Sequence, residues 1–172
     1  MPAADKTHHL HLVCGGTGAG KTTYALALAE QIAGVRFSID DWMGDLFWMD
    51  SPEPMQFEWN IERIGRCEKR IFALARELAA HGVPSILEIG CATAAQRKKF
   101  ANLARDAGLT IQLHYLDVPK EERWRRVTSR NAAKGETFRL EVTREMFDLV
   151  ESLWEPPDAA EMATLNGIRV SA

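Results

Sequence analysis

The sequence predicts a single α/β domain, in which a mostly parallel sheet carries helices on both of its faces. Two observations favour this class: short apolar runs alternate along the chain with longer segments of helical periodicity, and a glycine-rich turn follows the first apolar run. With 172 residues the chain can bury one sizeable core, so we predict one domain over residues 1–172.

The first three elements surround the glycine-rich turn. Leu10–Cys14 is an apolar run that leads into the glycines, and Thr22–Ala33 is an alanine-rich segment with helical spacing. Val35–Ile39 is predicted as a second short strand, which ends at Asp40 and Asp41. These features predict a strand, a loop, a helix and a second strand in succession.

The middle of the chain repeats this alternation. Ile61–His81 has apolar residues at helical spacing, and Gly82 closes it in the manner of a helix C-terminus. Pro84–Ile89 is a third strand. A threonine with a glutamine three residues on, the signature of a capping box, then opens a helix over Thr93–Ala107.

The last third contains two more strands and two more helices. Thr110–Leu116 is a fourth strand, and Pro119, which suits a first helical turn, opens a helix that runs to Ala133. A helix over Thr143–Leu153 follows, and Ile168–Val170 is a last strand. Because strands separated by helices require crossover connections, the sheet is expected to be mostly parallel.

Composition and charge disfavour several functional classes. The net charge of −3 and the pI of about 6.0 provide no overall basic field for nucleic acid. No apolar run is long enough to span a bilayer, and the N-terminal residues do not resemble a signal peptide. We therefore expect a cytoplasmic protein with no membrane partner, whose three cysteines are reduced. The oligomeric state cannot be read from the sequence.

The glycine-rich turn is a phosphate-binding loop. Its letters, GGTGAGKT, fit the pattern G-x-x-x-x-G-K-[ST], in which backbone N–H groups surround phosphate oxygens. Lys21 would reach the β- and γ-phosphates, and Thr22 would hold Mg²⁺ through its hydroxyl group. The residues predicted to bind the nucleotide are Gly15, Gly16, Thr17, Gly18, Ala19, Gly20, Lys21, Thr22 and Thr23.

Three classes of phosphate-loop protein compete: switches, motors and kinases. A GTPase requires an Asn-Lys-x-Asp motif, which the chain does not contain. A kinase requires a carboxylate that orients the acceptor hydroxyl group and takes its proton. Asp40 is the preferred base and Asp41 the second choice, because ligands of open α/β sheets bind at the carboxyl ends of strands. The alternative is that one of them caps a short helix.

A row of arginines provides the cations that a kinase needs. On a helix, Arg123, Arg126 and Arg130 fall on one face, where they could bracket the transferred phosphoryl group. We predict a lid over about residues 119–140, with catalytic roles for Arg126 and Arg130. The alternative is a solvated basic face paired with neighbouring glutamates.

Together, the phosphate loop, the aspartate after the second strand and the run PKEERWRRVTSRN resemble the small P-loop kinases of the AAA-type predicted-kinase group. That group includes zeta-toxin-like, chloramphenicol-phosphotransferase-like and polynucleotide-kinase-like proteins. The resemblance implies ATP with Mg²⁺ and a five-stranded parallel sheet of order 2-3-1-4-5. Two departures stand out: the run Asp-Trp-Met directly after Asp40 contains no arginine, and the acid of the third strand is Glu88, which would hold a Mg²⁺-bound water or pair locally.

The segment 41–60 is predicted to form the acceptor side. It contains three of the five tryptophans, and an aromatic wall suits a small organic acceptor, although the same residues could simply pack onto the sheet. Asp41, Trp42 and Trp48 are candidate acceptor contacts. Arg97, one turn into the helix after the third strand, is another, with an ordinary surface role as the alternative.

The leading hypothesis is therefore an ATP-dependent kinase that phosphorylates a hydroxyl group of a small molecule. Within the enzymes, the alternative is a nucleotide or polynucleotide 5′-hydroxyl kinase, which the acidic pI disfavours. From another class, the alternative is an ATP-binding regulatory protein that does not catalyse transfer.

Overall fold

Five parallel strands form one sheet, and helices cover both of its faces. The computed structural model describes residues 8–54, 56–133 and 141–171. Residue 55 of the predicted acceptor segment and residues 134–140 of the predicted lid lie outside the described residues. The elements in chain order are β1 (Leu10–Cys14), α1 (Lys21–Ile32), β2 (Val35–Ser38), α2 (Ile39–Leu46), a 3-10 turn (Trp48–Asp50), α3 (Phe57–Ala80), β3 (Ser85–Glu88), α4 (Ala94–Asp106), β4 (Ile111–Asp117), α5 (Lys120–Ala133), α6 (Arg144–Ser152), α7 (Ala159–Thr164) and β5 (Ile168–Ser171).

The strand order is β2-β3-β1-β4-β5, which confirms the predicted topology. β1 lies at the centre, where Leu10 is in register with Ser85 of β3 and with Ile111 of β4. All neighbouring pairs are parallel. The carboxyl ends of the strands therefore share one edge, where a ligand site of an open α/β sheet is expected.

The core lies on both faces of the sheet, because successive side chains of a strand point to opposite sides. Leu12 of β1 faces α3 and α4, where it belongs to the same apolar cluster as Phe100. Val13 faces the other way and packs with Leu28 of α1. Each residue of β1 is buried, so this strand reads in the sequence as a nearly continuous apolar run.

Three polar side chains form a buried network between the sheet and α1. His11 Nδ1 lies 3.0 Å from His114 Nε2, and the Tyr24 hydroxyl group lies 2.7 Å from His114 Nδ1. Burial, together with the nearby rings of His11 and His8, lowers the pKa of His114 to about 3. His114 is therefore neutral in the folded chain at neutral pH.

Several element boundaries differ from the sequence prediction. β2 ends at Ser38, because the Ser38 hydroxyl oxygen accepts a hydrogen bond from the Asp41 N–H and so caps α2. α3 begins at Phe57 and not at Ile61. The helix α7 is not predicted, and α2 is the short helix of the alternative interpretation, with Ser38 as its cap in place of an aspartate. The predicted capping box of α4 is present.

The described helices include none with the length and apolar character needed to cross a membrane.

Candidate active site

The loop of residues 15–22 connects the buried strand β1 to α1 and adopts a conformation that requires glycine. Gly18 has a φ of 81°, and a Cβ atom there would lie 2.4 Å from the Arg123 carbonyl oxygen. A Cβ atom on Gly16 would lie 2.3 Å from Arg123 Nη1. Any larger residue would collide with α5, so the glycines allow the loop to fit beneath that helix.

The side chain of Lys21 is held by backbone carbonyl groups of the phosphate loop. Lys21 Nζ donates to the carbonyl oxygens of Gly15 at 2.9 Å and Gly16 at 3.2 Å. Burial lowers the pKa of Lys21, while the carboxylates of Glu88 and Asp40 act in the opposite direction. A partly buried ammonium group beside the N-terminus of α1 is suited to an anionic ligand.

The cleft above the loop has a volume of about 960 Å³. Within the nucleotide-binding prediction, the structure places these residues on its lining: Thr17, Gly18, Ala19, Gly20, Lys21, Thr22 and Thr23. Gly15 and Gly16 lie behind them, where their carbonyl oxygens hold the lysine. The loop and the beginning of α1 thus form the floor of the cleft.

The acidic pair Asp40 and Asp41 lies in the first turn of α2. The sequence had predicted that the pair ends the second strand. Asp40 is exposed and lines the cleft. Asp41 also lines the cleft, but its Oδ2 accepts a hydrogen bond from Arg36 Nη1 at 2.9 Å. In the described part of the chain the Asp40 carboxylate accepts no hydrogen bond, so it is the acid of this pair that is available to a ligand.

Glu88 closes a chain of contacts between the phosphate loop and α2. The Thr22 hydroxyl group donates to Glu88 Oε1 at 2.6 Å, and Arg36 donates to Glu88 Oε2 through Nε at 2.8 Å and Nη2 at 2.5 Å. Burial lowers the pKa of Arg36, but the carboxylates of Glu88 and Asp41 outweigh burial and raise it above its ordinary value. Arg36 is not among the predicted site residues; its signal in the sequence is a charged residue inside a short apolar strand.

The residues present fit a magnesium ion. Mg²⁺ prefers oxygen ligands and usually keeps several waters, so one or two protein oxygens beside bound phosphates are enough. The Thr22 hydroxyl and the Glu88 carboxylate lie together at the start of α1, next to the phosphate loop. No group of three or more acidic, histidine or cysteine side chains able to hold a metal occurs among the described residues. Mg²⁺ would therefore depend on the nucleotide phosphates for its other ligands.

The predicted arginine row divides into two parts. Arg126 and Arg130 of α5 line the cleft. Arg126 Nε donates to Glu122 Oε1 at 2.7 Å, and Arg130 Nε is buried without a hydrogen-bond partner among the described residues. Arg123, in contrast, is buried against the body of the domain and donates to both carboxylate oxygens of Glu151. Only the later two arginines of the row can reach a ligand in the cleft.

Two predicted acceptor contacts lie away from the cleft. Arg97 is fully buried and donates to both carboxylate oxygens of Glu161, at 2.5 and 3.0 Å, because the unpredicted helix α7 brings that glutamate to it. Trp42 packs edge-on against Phe37, with ring centroids 6.3 Å apart. Both side chains stabilise the fold and do not line the cleft.

Trp48 is the tryptophan that reaches the cleft. It lines the cleft on the side of Arg36 and Asp40 and lies beside Gly44 of α2, where a Cβ atom would be 3.7 Å from its ring. The apolar side chains of Val118, which follows β4, and Val170 of β5 also line the cleft, on the other side of β1 from β2. The lining of the cleft therefore combines charged, aromatic and aliphatic side chains.

Comparisons with known proteins agree with the fold described above. The family model that describes an AAA domain matches residues 10–157. No curated protein sequence matches the chain. Solved structures with a similar fold include a candidate kinase from Chloroflexus aurantiacus, with a TM-score of 0.68 and 20% identity over 98% of this chain and 86% of that one.

Two nucleotide complexes are also similar. Kti12 from Chaetomium thermophilum, in complex with ADP-AlF3, has a TM-score of 0.66 and 16% identity over 94% of this chain and 88% of that one. The APS kinase CysC from Mycobacterium tuberculosis, in complex with AMPPNP and APS, has a TM-score of 0.64 and 16% identity over 94% and 87%. At such identities the likeness shows the fold alone.

Proposed function

This chain belongs to the AAA domain family, and we propose that it is a kinase that transfers the γ-phosphoryl group of ATP to a hydroxyl group of a small molecule. The position of the Asp40 carboxylate carries the proposal. Asp40 is exposed on the cleft that the phosphate loop floors, whereas Arg36 holds the neighbouring acids Asp41 and Glu88. A general base needs this combination of access and freedom from other partners.

The donor half binds the phosphates through charge and backbone. The N–H groups of the loop and the start of α1 would surround the phosphate oxygens, and Lys21 would exchange its two carbonyl contacts for the β- and γ-phosphates. Arg126 and Arg130 would approach from α5, which we propose as the lid of the single domain. Mg²⁺ beside Thr22 and Glu88 would offset the negative charge of the phosphates.

The transfer step balances without a further reactant. Asp40 accepts the proton of the acceptor hydroxyl group as the acceptor oxygen forms a bond to the γ-phosphorus. The bond between that phosphorus and the β–γ bridging oxygen breaks, and ADP leaves with the electron pair. Arg130 is positioned on the cleft to stabilise the charge that develops on the transferred group.

The composition of the acceptor side favours a neutral or cationic acceptor with an apolar face. Residues 40–60 contain six acidic side chains and no lysine, arginine or histidine. Arg36 of β2 contacts this segment through Asp41, but it already contacts two carboxylates. An acidic acceptor would meet unbalanced negative charge here, while Trp48 offers a stacking surface.

One comparison of variants tests the proposal. ATP consumption is measured for the wild-type chain against panels of sugars, nucleosides, antibiotics and oligonucleotides, and the best acceptor is then used with Asp40→Asn. We expect Asp40→Asn to bind ADP as the wild type does and to lose transfer by about 10²–10⁴-fold, since it cannot take the proton. Asp45→Asn provides a matched control, because Asp45 is an exposed acid of the same helix that does not line the cleft.

The two competing functions give different results in the same experiment. Normal transfer by Asp40→Asn would show that Asp40 is not the base. Preference for oligonucleotides over nucleosides would favour a polynucleotide kinase. A wild-type chain that binds ATP but phosphorylates nothing in any panel would favour a regulatory protein.

A further inference from the structure

Arg36 lies between two acids, Glu88 beside the phosphate loop and Asp41 in α2. Its side chain is only 15% exposed, and that of Glu88 is 8% exposed. One guanidinium group therefore contacts carboxylates on two different elements, Glu88 at the end of β3 and Asp41 in the first turn of α2.

The sheet register explains how Arg36 reaches both acids. Ser38 of β2 is in register with Glu88 of β3, and Arg36 lies two residues earlier on the same face of the strand. From there, the long side chain runs along the sheet towards the cleft. Its Nε and Nη2 atoms meet Glu88 Oε2, and its Nη1 atom is left for Asp41.

The two oxygens of Glu88 have separate partners. Oε1 accepts from the Thr22 hydroxyl group, and Oε2 accepts from Arg36. Without the guanidinium group, the carboxylates of Glu88 and Asp41 would face one cleft without the cation that now contacts both of them. Both would also lie on the cleft that must hold an anionic polyphosphate, where unbalanced negative charge would repel it.

We propose that Arg36 is a positioning residue that balances the charge of Glu88 and Asp41, so that these acids can flank the phosphate site without repelling the nucleotide. The inference rests on the proposed function only in requiring that ADP and Mg²⁺ meet in this cleft. It adds that metal-free nucleotide binding depends on a residue outside the phosphate loop. It also makes Asp40 the one acid of the three that Arg36 does not hold.

The test compares ADP affinity in EDTA with ADP affinity in excess Mg²⁺ by isothermal titration calorimetry. Arg36→Met should weaken metal-free binding about tenfold, the effect of one unit charge at roughly 10 Å in a medium of effective dielectric constant near 20. Mg²⁺ should compensate for much of this loss. The ADP affinity in Mg²⁺ divided by the ADP affinity in EDTA should therefore be larger for Arg36→Met than for the wild type. Arg36→Lys should restore metal-free binding in part, because it keeps the charge but loses the fork geometry.

A charge-balanced double variant separates electrostatics from damage to the fold. Glu88→Gln alone should strengthen metal-free binding, and Arg36→Met with Glu88→Gln should return it towards the wild-type value. Arg169→Met is the matched control: Arg169 is also a strand arginine paired with an acid, Asp117, but it does not line the cleft. Its ratio should equal that of the wild type.

The outcomes distinguish this inference from the proposed function. If Arg36→Met and Arg36→Lys bind ADP like the wild type in EDTA, the charge-balancing role is wrong, whatever the transfer assay shows. A double variant weaker than either single variant would also contradict it. If the wild type binds ADP but transfers nothing, the proposed function fails while the Arg36 test still decides. A wild type that binds no ADP overturns both.

Discussion

Replacing Arg123 tests whether this arginine of α5 anchors the phosphate loop or acts on the ligand in the cleft. The Arg123 side chain is 5% exposed and donates to Glu151 at 2.6 and 2.8 Å. It also donates to the carbonyl oxygens of Val118 at 2.9 Å and Thr17 at 3.3 Å. Thr17 belongs to the phosphate loop, so we expect Arg123→Met to loosen the loop and to destabilise the fold.

The magnitude follows from burial. Breaking a buried ion pair by removing one partner costs about 3–5 kcal/mol, because the other charge is left uncompensated. Since Glu151 remains 20% exposed, water offsets part of this cost, and we expect about 2–3 kcal/mol for Arg123→Met. In a chain of this size each kcal/mol lowers the melting temperature by about 2–4 °C, which gives a decrease of about 4–12 °C.

Thermal unfolding and ADP titration together decide between the two roles. An anchoring arginine predicts a lower melting temperature and weaker ADP binding, and it predicts that Glu151→Gln adds little once Arg123 has been replaced. Arg125→Met is the control, because Arg125 is an exposed arginine of the same helix, and it should unfold like the wild type. A wild-type melting temperature for Arg123→Met, with transfer alone reduced, would refute the anchoring role.

Two further predictions concern the lid and the buried histidine. Arg130→Ala should reduce transfer by about a hundredfold with ADP affinity nearly unchanged, measured beside Arg125→Ala as control; equal activities would remove Arg130 from the mechanism. The free energy of unfolding in urea should fall as the pH drops below about 6.5, by up to about 1.4 kcal/mol per pH unit, because the unfolded chain protonates His114 and the folded chain, with a His114 pKa of about 3, does not. His114→Gln should flatten this curve, and an unchanged slope would contradict the assignment.

The strands could be predicted because the sheet is buried on both faces. β1 and β4 are almost entirely buried, so their sequences are apolar runs bounded by turn signals, and the predicted limits lie close to the observed ones. The phosphate loop is equally local, since its glycines, lysine and threonine follow one another in the chain. Local signals therefore account for the fold class and for the donor half of the candidate site.

The buried arginines show where local signals end. Arg97 and Arg123 lie on helices with several other charged residues, and such residues are usually solvated. Each is buried because a glutamate far along the chain, Glu161 for the first and Glu151 for the second, reaches it from a different helix. No periodicity indicates these pairings, and α7, which carries Glu161, is only six residues long.

Arg36 bears on the arginine that several small P-loop kinases have just after the aspartate of the second strand. The sequence has no arginine in the three residues after Asp40, yet the structure brings Arg36 of β2 to the same cleft. An arginine free in that place would suit an acidic or phosphorylated acceptor, but this guanidinium group already contacts Glu88 and Asp41. To bind an acidic acceptor it would have to release one of those carboxylates into the cleft beside the new anion. We therefore expect neutral and cationic acceptors to be preferred, even though the cleft contains an arginine.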